Sequence, residues 1–327
     1  TPPLRVVAPP DAVSLTGITQ DLAGRELFAA VSRVVDPNDE ALVDLRTFSY
    51  LREQAIRTVP GRQQINVALL PSSDTLTPIP GIYSSSHALL TNREAPPVTQ
   101  RAMRALVRIK RAPGGMPANG WALRLRVVFV GLTNINAATA ATNRRLQAAL
   151  TQMQAIYAQV GIGVTVVGYH DIPPADAQRL SVIDSQEELR DLLTRSAPYT
   201  GDVLTVFLVR GISPSAGLEG AIGVAGAIAG PPSIPGTIQS GVVAGWETTF
   251  GGGRDVLPNT LSHECGHFLG LWHTRERMAP CTQPAQMECS PFGGVDPISD
   301  TPTPDNLAQR NVMYWSSSGS TVLTAGQ

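Results

Sequence analysis

Three histidines and a glutamate fall within eleven residues of this chain, in the run His263-Glu264-Cys265-Gly266-His267-Phe268-Leu269-Gly270-Leu271-Trp272-His273. The whole sequence has only five histidines, so the run concentrates most of its imidazole chemistry in one place. On a helix, residues four apart share a face at about 5–6 Å, which lets His263 and His267 turn two ring nitrogens toward one ion. Glu264 follows His263 directly and is rotated by about 100°, so its carboxylate is expected beside the ion rather than on it. Gly270 tolerates the left-handed conformation that ends a helix, and His273 can then swing back as third ligand. Three nitrogen ligands leave the fourth position of a tetrahedral zinc site open to water, whose pKa the metal lowers to about 7. Glu264 is the expected general base: it takes the proton from that water and returns it to the amine leaving a hydrolysed peptide bond.

Other hydrolytic and nucleotide chemistries lack their parts. The sequence has no G-x-S-x-G elbow, and its single lysine, Lys110, has Val107 three places before it and Arg111 after it. Neither a phosphate-binding loop nor an S-x-x-K nucleophile is therefore possible. Gly220, Gly223 and Gly226 miss the spacing of a dinucleotide fingerprint. The stretch 218–241 around them reads as a flexible surface loop. His87, in a serine-rich stretch, reads as a surface or turn residue, and His170 as structural or exposed.

The elements that would position the cluster follow from periodicity. Residues 1–115 are predicted to be a β-rich, sandwich-like domain. Short runs at Leu4–Ala8, Leu27–Val35, Leu42–Phe48, Ile65–Leu70 and Ala105–Lys110 are separated there by turn formers such as Asp36-Pro37-Asn38-Asp39. A Gly/Pro-rich linker at 112–120 ends it. Residues 116–327 then alternate strand and helix: Leu123–Val130, a helix over Thr142–Val160, Val164–Tyr169, a helix announced by Ser185 and Glu188 at capping-box spacing, and Val203–Val209. That order predicts an α/β (α+β) domain with a mixed, mostly parallel sheet beside the active-site helix. Val242, Val243, Ala244, Gly245 and Trp246 read as a short strand just before that helix, and as a candidate edge to which an extended substrate could add.

With 327 residues the chain has ample sequence for two cores, and 43% hydrophobic against 16% charged residues is the balance of a folded protein. A net charge of −1 exerts no long-range pull on nucleic acid or anionic membrane, and no apolar run is long enough to span a bilayer. Cys281 and Cys289 flank a short polar loop and could pair, which implies an oxidising compartment. Cys265, inside the helix, reads as a small buried apolar residue. Thr1-Pro2-Pro3 has no leader pattern, as in a secreted chain already trimmed, and arginine in place of lysine suggests a GC-rich bacterial genome.

The filled pattern H-E-x-x-H-x-x-G-x-x-H resembles the metzincin metalloprotease signature, and the downstream sequence looks most like the pappalysin family within that clan. Asn311-Val312-Met313-Tyr314-Trp315 falls where that family has its Met-turn, with Met313 forty residues after His273. Asp296-Pro297-Ile298-Ser299-Asp300-Thr301-Pro302 is similar to a family stretch that lies near bound calcium, and Leu323-Thr324-Ala325-Gly326-Gln327 to the segment after the turn. The resemblance implies a metzincin-like zinc endopeptidase acting on protein or peptide substrates, with Met313 as floor of the site and Asp296, Asp300 and Thr301 as calcium ligands. A tyrosine two residues after the turn methionine is common in the family, whereas this chain has Trp315 there and Tyr314 one residue earlier. Two other readings compete: a non-catalytic binding or adhesion protein on the same scaffold, and a latent protease whose N-terminal domain is an inhibitory segment.

Overall fold

A computed structural model describes residues 2–23, 28–44, 65–71, 74, 77–91, 102–115, 120–216, 220–251, 254–275, 295–302, 305–316 and 319–327. The chain divides into two compact units. One comprises Thr1–Ala118 with Gly270–Thr301 and Gly326–Gln327; the other comprises Asn119–Leu269 with Pro302–Ala325. Neither is one unbroken stretch of sequence.

The first unit is all-β in its N-terminal part: β1 (Leu4–Ala8), β2 (Ala12–Asp21), β3 (Phe28–Val35), β4 (Ala41–Asp44), β5 (Ile65–Leu70), β6 (Gly81–Leu90) and β7 (Met103–Arg111). They form two antiparallel sheets, ordered β1-β6-β3-β4 and β5-β2-β7. A shared core includes Ala8, Leu15, Val31, Val34, Ala68, Leu70 and Tyr83. The long strands β2 and β6 lie outside the runs expected from sequence, because Ser, Thr and Gly interrupt the apolar alternation that marks a strand. Their polar groups are answered across strands instead. His87 sits in β6, not in a turn, and is buried; its Nδ1 lies 2.7 Å from Thr19 Oγ1 and its Nε2 2.9 Å from Ser85 Oγ. Thr19 Oγ1 donates to the Ala30 carbonyl, so it accepts from Nδ1–H and leaves Nε2 to accept from Ser85. Burial without a neighbouring charge pushes the imidazole pKa down to about 4.

The second unit follows the predicted alternation. In chain order it contains β8 (Trp121–Phe129), α1 (Arg144–Ala158), β9 (Ile162–Asp171), α2 (Pro174–Leu180), β10 (Val182–Ile183), α3 (Gln186–Thr194), β11 (Leu204–Val209) and β12 (Gly211–Ile212). There follow β13 (Gly223–Ala225), β14 (Val242–Gly245), β15 (Phe250–Gly251), β16 (Arg254–Asp255), α4 (Leu257–Leu269) and α5 (Asp305–Ala308). The main sheet runs β13-β14-β11-β8-β9, parallel except for the β13–β14 pair. Local chemistry sets the helix starts. Asn143 Oδ1 accepts from Leu146 N at 3.0 Å, and Ser185 Oγ from Glu188 N at 3.2 Å while Glu188 accepts from Asp184 N. Buried Leu146, Met153, Ile156 and Tyr157 form the inner face of α1. Among the described residues no helix is long and apolar enough to cross a membrane.

Two expectations change here. Val242–Gly245 is an inner strand bonded on both sides, by β11 and β13, and Trp246 beyond it is buried, so this segment offers no free edge. The antiparallel β13 takes the outer position because the chain doubles back through 226–241. That glycine-rich stretch is not a surface loop: Ala227, Ile228, Ala229, Ile234, Thr237, Ile238, Gln239 and Ser240 are buried. Its polar groups close on one another and on the end of α3. Ser240 Oγ donates to the Ile234 carbonyl at 2.6 Å, and Gly236 N to Ser196 Oγ at 2.7 Å.

Candidate metal centre

Helix α4 carries the cluster found in the sequence, and contacts along its length and at its start fix it. Tyr157 of α1 donates its hydroxyl to the Ser262 carbonyl at 2.9 Å, and full burial raises the pKa of that phenol. Arg145, also on α1, grips the start of α4 through Asp255 with Nε–Oδ2 at 2.8 Å and Nη2–Oδ1 at 3.0 Å. Asp255 Oδ1 accepts from Leu257 N in turn, satisfying one orphan donor of the first helical turn. The same guanidinium lies over the Trp246 ring at 4.2 Å and donates to the Trp246 carbonyl, tying the end of β14 to the helix start. Asn259 donates to the Ser320 carbonyl one turn further on.

His263, Glu264 and His267 are all buried on α4, and Gly270 adopts φ +111° immediately after it, as the sequence required. His273 is buried as well, and His263, His267 and His273 offer ring nitrogens that all lie within 4.8 Å of one another. His263 Nε2 and His267 Nε2 are 3.0 Å apart, with the rings nearly perpendicular at 89°. Two nitrogens each about 2.0–2.1 Å from a tetrahedral ion stand roughly 3.4 Å apart, so this spacing needs only a small adjustment. His263 Nδ1 lies 2.7 Å from the Val312 carbonyl. A carbonyl can only accept, so Nδ1 carries the proton and Nε2 presents its lone pair to the other two histidines. Buried imidazoles with converged lone pairs fit a divalent transition metal, and among the described residues this is the group of His, Cys, Asp or Glu side chains arranged for one.

Val312 belongs to a tight turn that sequence reasoning placed only by resemblance. Tyr314 N donates to the Asn311 carbonyl at 3.1 Å, Met313 N to Asn311 Oδ1 at 2.8 Å, and Val312 N to the Val322 carbonyl at 2.8 Å. Met313 is fully buried, Tyr314 is buried, and Trp315 is 37% exposed with its ring 5.8 Å from that of Tyr314. The part of this turn that sequence missed is the Val312 carbonyl, since a main-chain acceptor leaves no residue type to read. Cys265 is buried in α4, and burial raises its thiol pKa far above the usual range, which fits the expected inert packing role.

The other predicted site residues lie elsewhere. Asp296 and Thr301 are buried, with Thr301 Oγ1 donating to Asp296 Oδ1 at 2.5 Å; Asp300 is exposed and accepts from Gly326 N at 2.9 Å. Asp296 Oδ2 is buried with no hydrogen-bond partner, and desolvation raises this carboxyl's pKa to about 7. Asp74, from the turn region after β5, accepts from Ser299 N at 3.1 Å and also from its hydroxyl. Cys281 and Cys289 lie outside the described residues.

No family model matches the chain, and no curated protein matches it. Among solved structures, metalloproteinase-II from Bacteroides fragilis is similar over 57% of this chain and 51% of that one, at 17% identity and a TM-score of 0.28. The chain therefore spans about half of that structure.

Proposed function

We propose that this protein is a zinc-dependent endopeptidase of the metzincin type, resembling the pappalysins, with the β-rich N-terminal region as an accessory domain. One observation carries the reading: three buried histidine nitrogens within 4.8 Å of one another, with Glu264 next to the first of them on the same helix. Zinc held there would act as a Lewis acid toward the scissile carbonyl and lower the pKa of water to about 7.

The chain's own residues supply the rest. His263, His267 and His273 hold the metal, and the Val312 carbonyl keeps the His263 ring in its binding tautomer. Glu264 takes the proton from the attacking water and delivers it to the leaving amine. Met313, in the turn that carries Val312, is assigned as the apolar floor. We assign the substrate backbone to the outer side of β13, the terminal strand of the sheet, in place of 242–246. Gly223 of β13 passes so close to Glu264 that a side chain there would meet its carboxylate, so a peptide paired with β13 would run beside the base. Calcium at Asp296 and Thr301 is supported by the buried, unpartnered Asp296 Oδ2, which a hard cation would satisfy. A secreted bacterial origin fits this activity and the composition.

Comparing wild type with Glu264→Gln on casein and quenched peptides tests the reading. The variant should keep one zinc per chain and lose about 10²–10⁴ in kcat, the range for removing a positioned general base. A variant that holds zinc and cleaves at the wild-type rate removes Glu264 from the mechanism; a zinc-loaded wild type that cleaves no peptide removes the function.

A further inference from the structure

Two glycines, Gly223 in β13 and Gly230 in the stretch between β13 and β14, match no ligand motif and touch α4 at opposite ends of the histidine motif. At Gly223 a Cβ would stand 2.6 Å from Thr260 Cγ2, 2.7 Å from Glu264 Cγ and 2.8 Å from Glu264 Oε1. At Gly230 it would stand 2.0 Å from Phe268 Cε2 and 2.1 Å from Phe268 Cδ2. Neither glycine has a positive φ, so the demand for glycine at both positions is one of space alone. Real Cβ atoms do not approach to such distances, and in each case something on α4 would have to move.

What would move differs between the two positions. Beside Gly223 the groups at risk are the Glu264 side chain and the Thr260 methyl, while His263 and His267 are not among the nearest atoms. Beside Gly230 the group at risk is the Phe268 ring, and the glycine is bonded there as well: Gly230 N donates to the Phe268 carbonyl at 2.8 Å. That carbonyl belongs to the last turn of α4, whose acceptors have no intrahelical partner, and the chain runs on from it through Gly270 to His273. The backing of this contact is rigid, because Ala227, Ile228 and Ala229 are buried and the rest of the loop is bonded to itself.

We propose that Gly223 and Gly230 are positioning residues with separate tasks: Gly223 sets the place of the Glu264 carboxylate, and Gly230 sets the end of α4 from which the third metal ligand is delivered. The stretch 226–241 is then the brace of the metal centre. The proposal rests on the metalloprotease reading above.

The test uses Gly223→Ala and Gly230→Ala in the full-length protein, with thermal melts to establish folding. Cobalt substitution, whose visible spectrum reports the ligand set, gives a readout independent of turnover, and chelator competition gives the metal affinity. Gly223→Ala should keep the wild-type spectrum and metal affinity and lose about 10–100-fold in kcat with KM changed far less. Gly230→Ala should weaken metal binding by about 10–100-fold, as for loss of a ligand-orienting contact, and alter the cobalt spectrum. Adding Phe268→Leu to Gly230→Ala removes the clashing ring edge and should restore much of the affinity; this double variant also serves if Gly230→Ala does not fold. Wild-type kcat in Gly223→Ala, parallel loss of metal and activity in it, or wild-type metal affinity in Gly230→Ala would each overturn the assignment concerned. A wild type that binds cobalt and hydrolyses nothing overturns the protease reading and the Gly223 half with it, while the Gly230 half is still decided by the spectra.

Discussion

At the scale of single residues, the metal centre depends on one atom that is not a side chain. The Val312 carbonyl fixes the His263 tautomer, and its place is set by Asn311, whose Oδ1 receives Met313 N. Asn311→Ala should therefore weaken metal binding at the three histidines by about 10–100-fold, the usual cost of losing an outer-shell partner, as measured by chelator competition. Unchanged affinity would show that the turn holds itself without the side chain. His87 gives a second prediction, remote from the metal. Its folded pKa of about 4 lies below the unfolded value of 6.5, so between these pH values the unfolded chain binds more protons and stability falls as pH falls. The full window is worth on the order of 3 kcal/mol at about 1.4 kcal/mol per unit. Urea melts of the wild type should show this loss between pH 6.5 and 4, and His87→Gln should flatten it.

Residue types made His263, Glu264, His267 and His273 legible, because imidazoles at helical spacing followed by a glycine have few other uses. His87 is misread for the converse reason: three serines before it signal a turn, and only the folded structure shows its ring satisfied inside the sheets, by Thr19 on β2 and by Ser85 two residues before it on β6.

At the scale of elements, α1 anchors the segment that leads into α4. The Arg145 guanidinium makes a two-pronged pair with Asp255, donates to the Trp246 carbonyl and Thr249 Oγ1, and stacks on Trp246. Both members of the ion pair are partly shielded from water, so Arg145→Met should cost roughly 1–2 kcal/mol, between an exposed pair and a buried one. Arg145→Lys should recover little of it, since an ammonium cannot reproduce the fork. Denaturant melts check both variants; a loss under about 0.5 kcal/mol in Arg145→Met would place the helix start under other control. Alternating strand and helix from Leu123 onward was readable because parallel strands and amphipathic helices keep clean periods. The order of strands within the sheet is not readable in the same way, and 242–246 therefore looks like an edge in sequence: the excursion at 226–241 that lets β13 cover it leaves no mark in local periodicity.

At the scale of the whole molecule, the first unit is assembled from three separated stretches of chain. Asp74 receives both the main-chain N–H and the hydroxyl of Ser299, so residues 1–118 alone lack donors that the intact protein supplies. Expressed by itself, that fragment should melt at a lower temperature than the same sheets in the full chain, and amide exchange at Ile18 and Leu89 should quicken. Equal protection in fragment and full chain would show that the later stretches add nothing to the sheets.

The interleaving also puts a clock on synthesis. A ribosome that has delivered residue 118 must add 209 more to reach residue 327, which at 5–20 residues per second takes about 10–40 s. Throughout that interval the first unit waits for pieces not yet made, while His273 emerges only after both strands that sandwich β14 are in place. The three-histidine cluster is therefore completed only after the strands of the second unit's main sheet have been made.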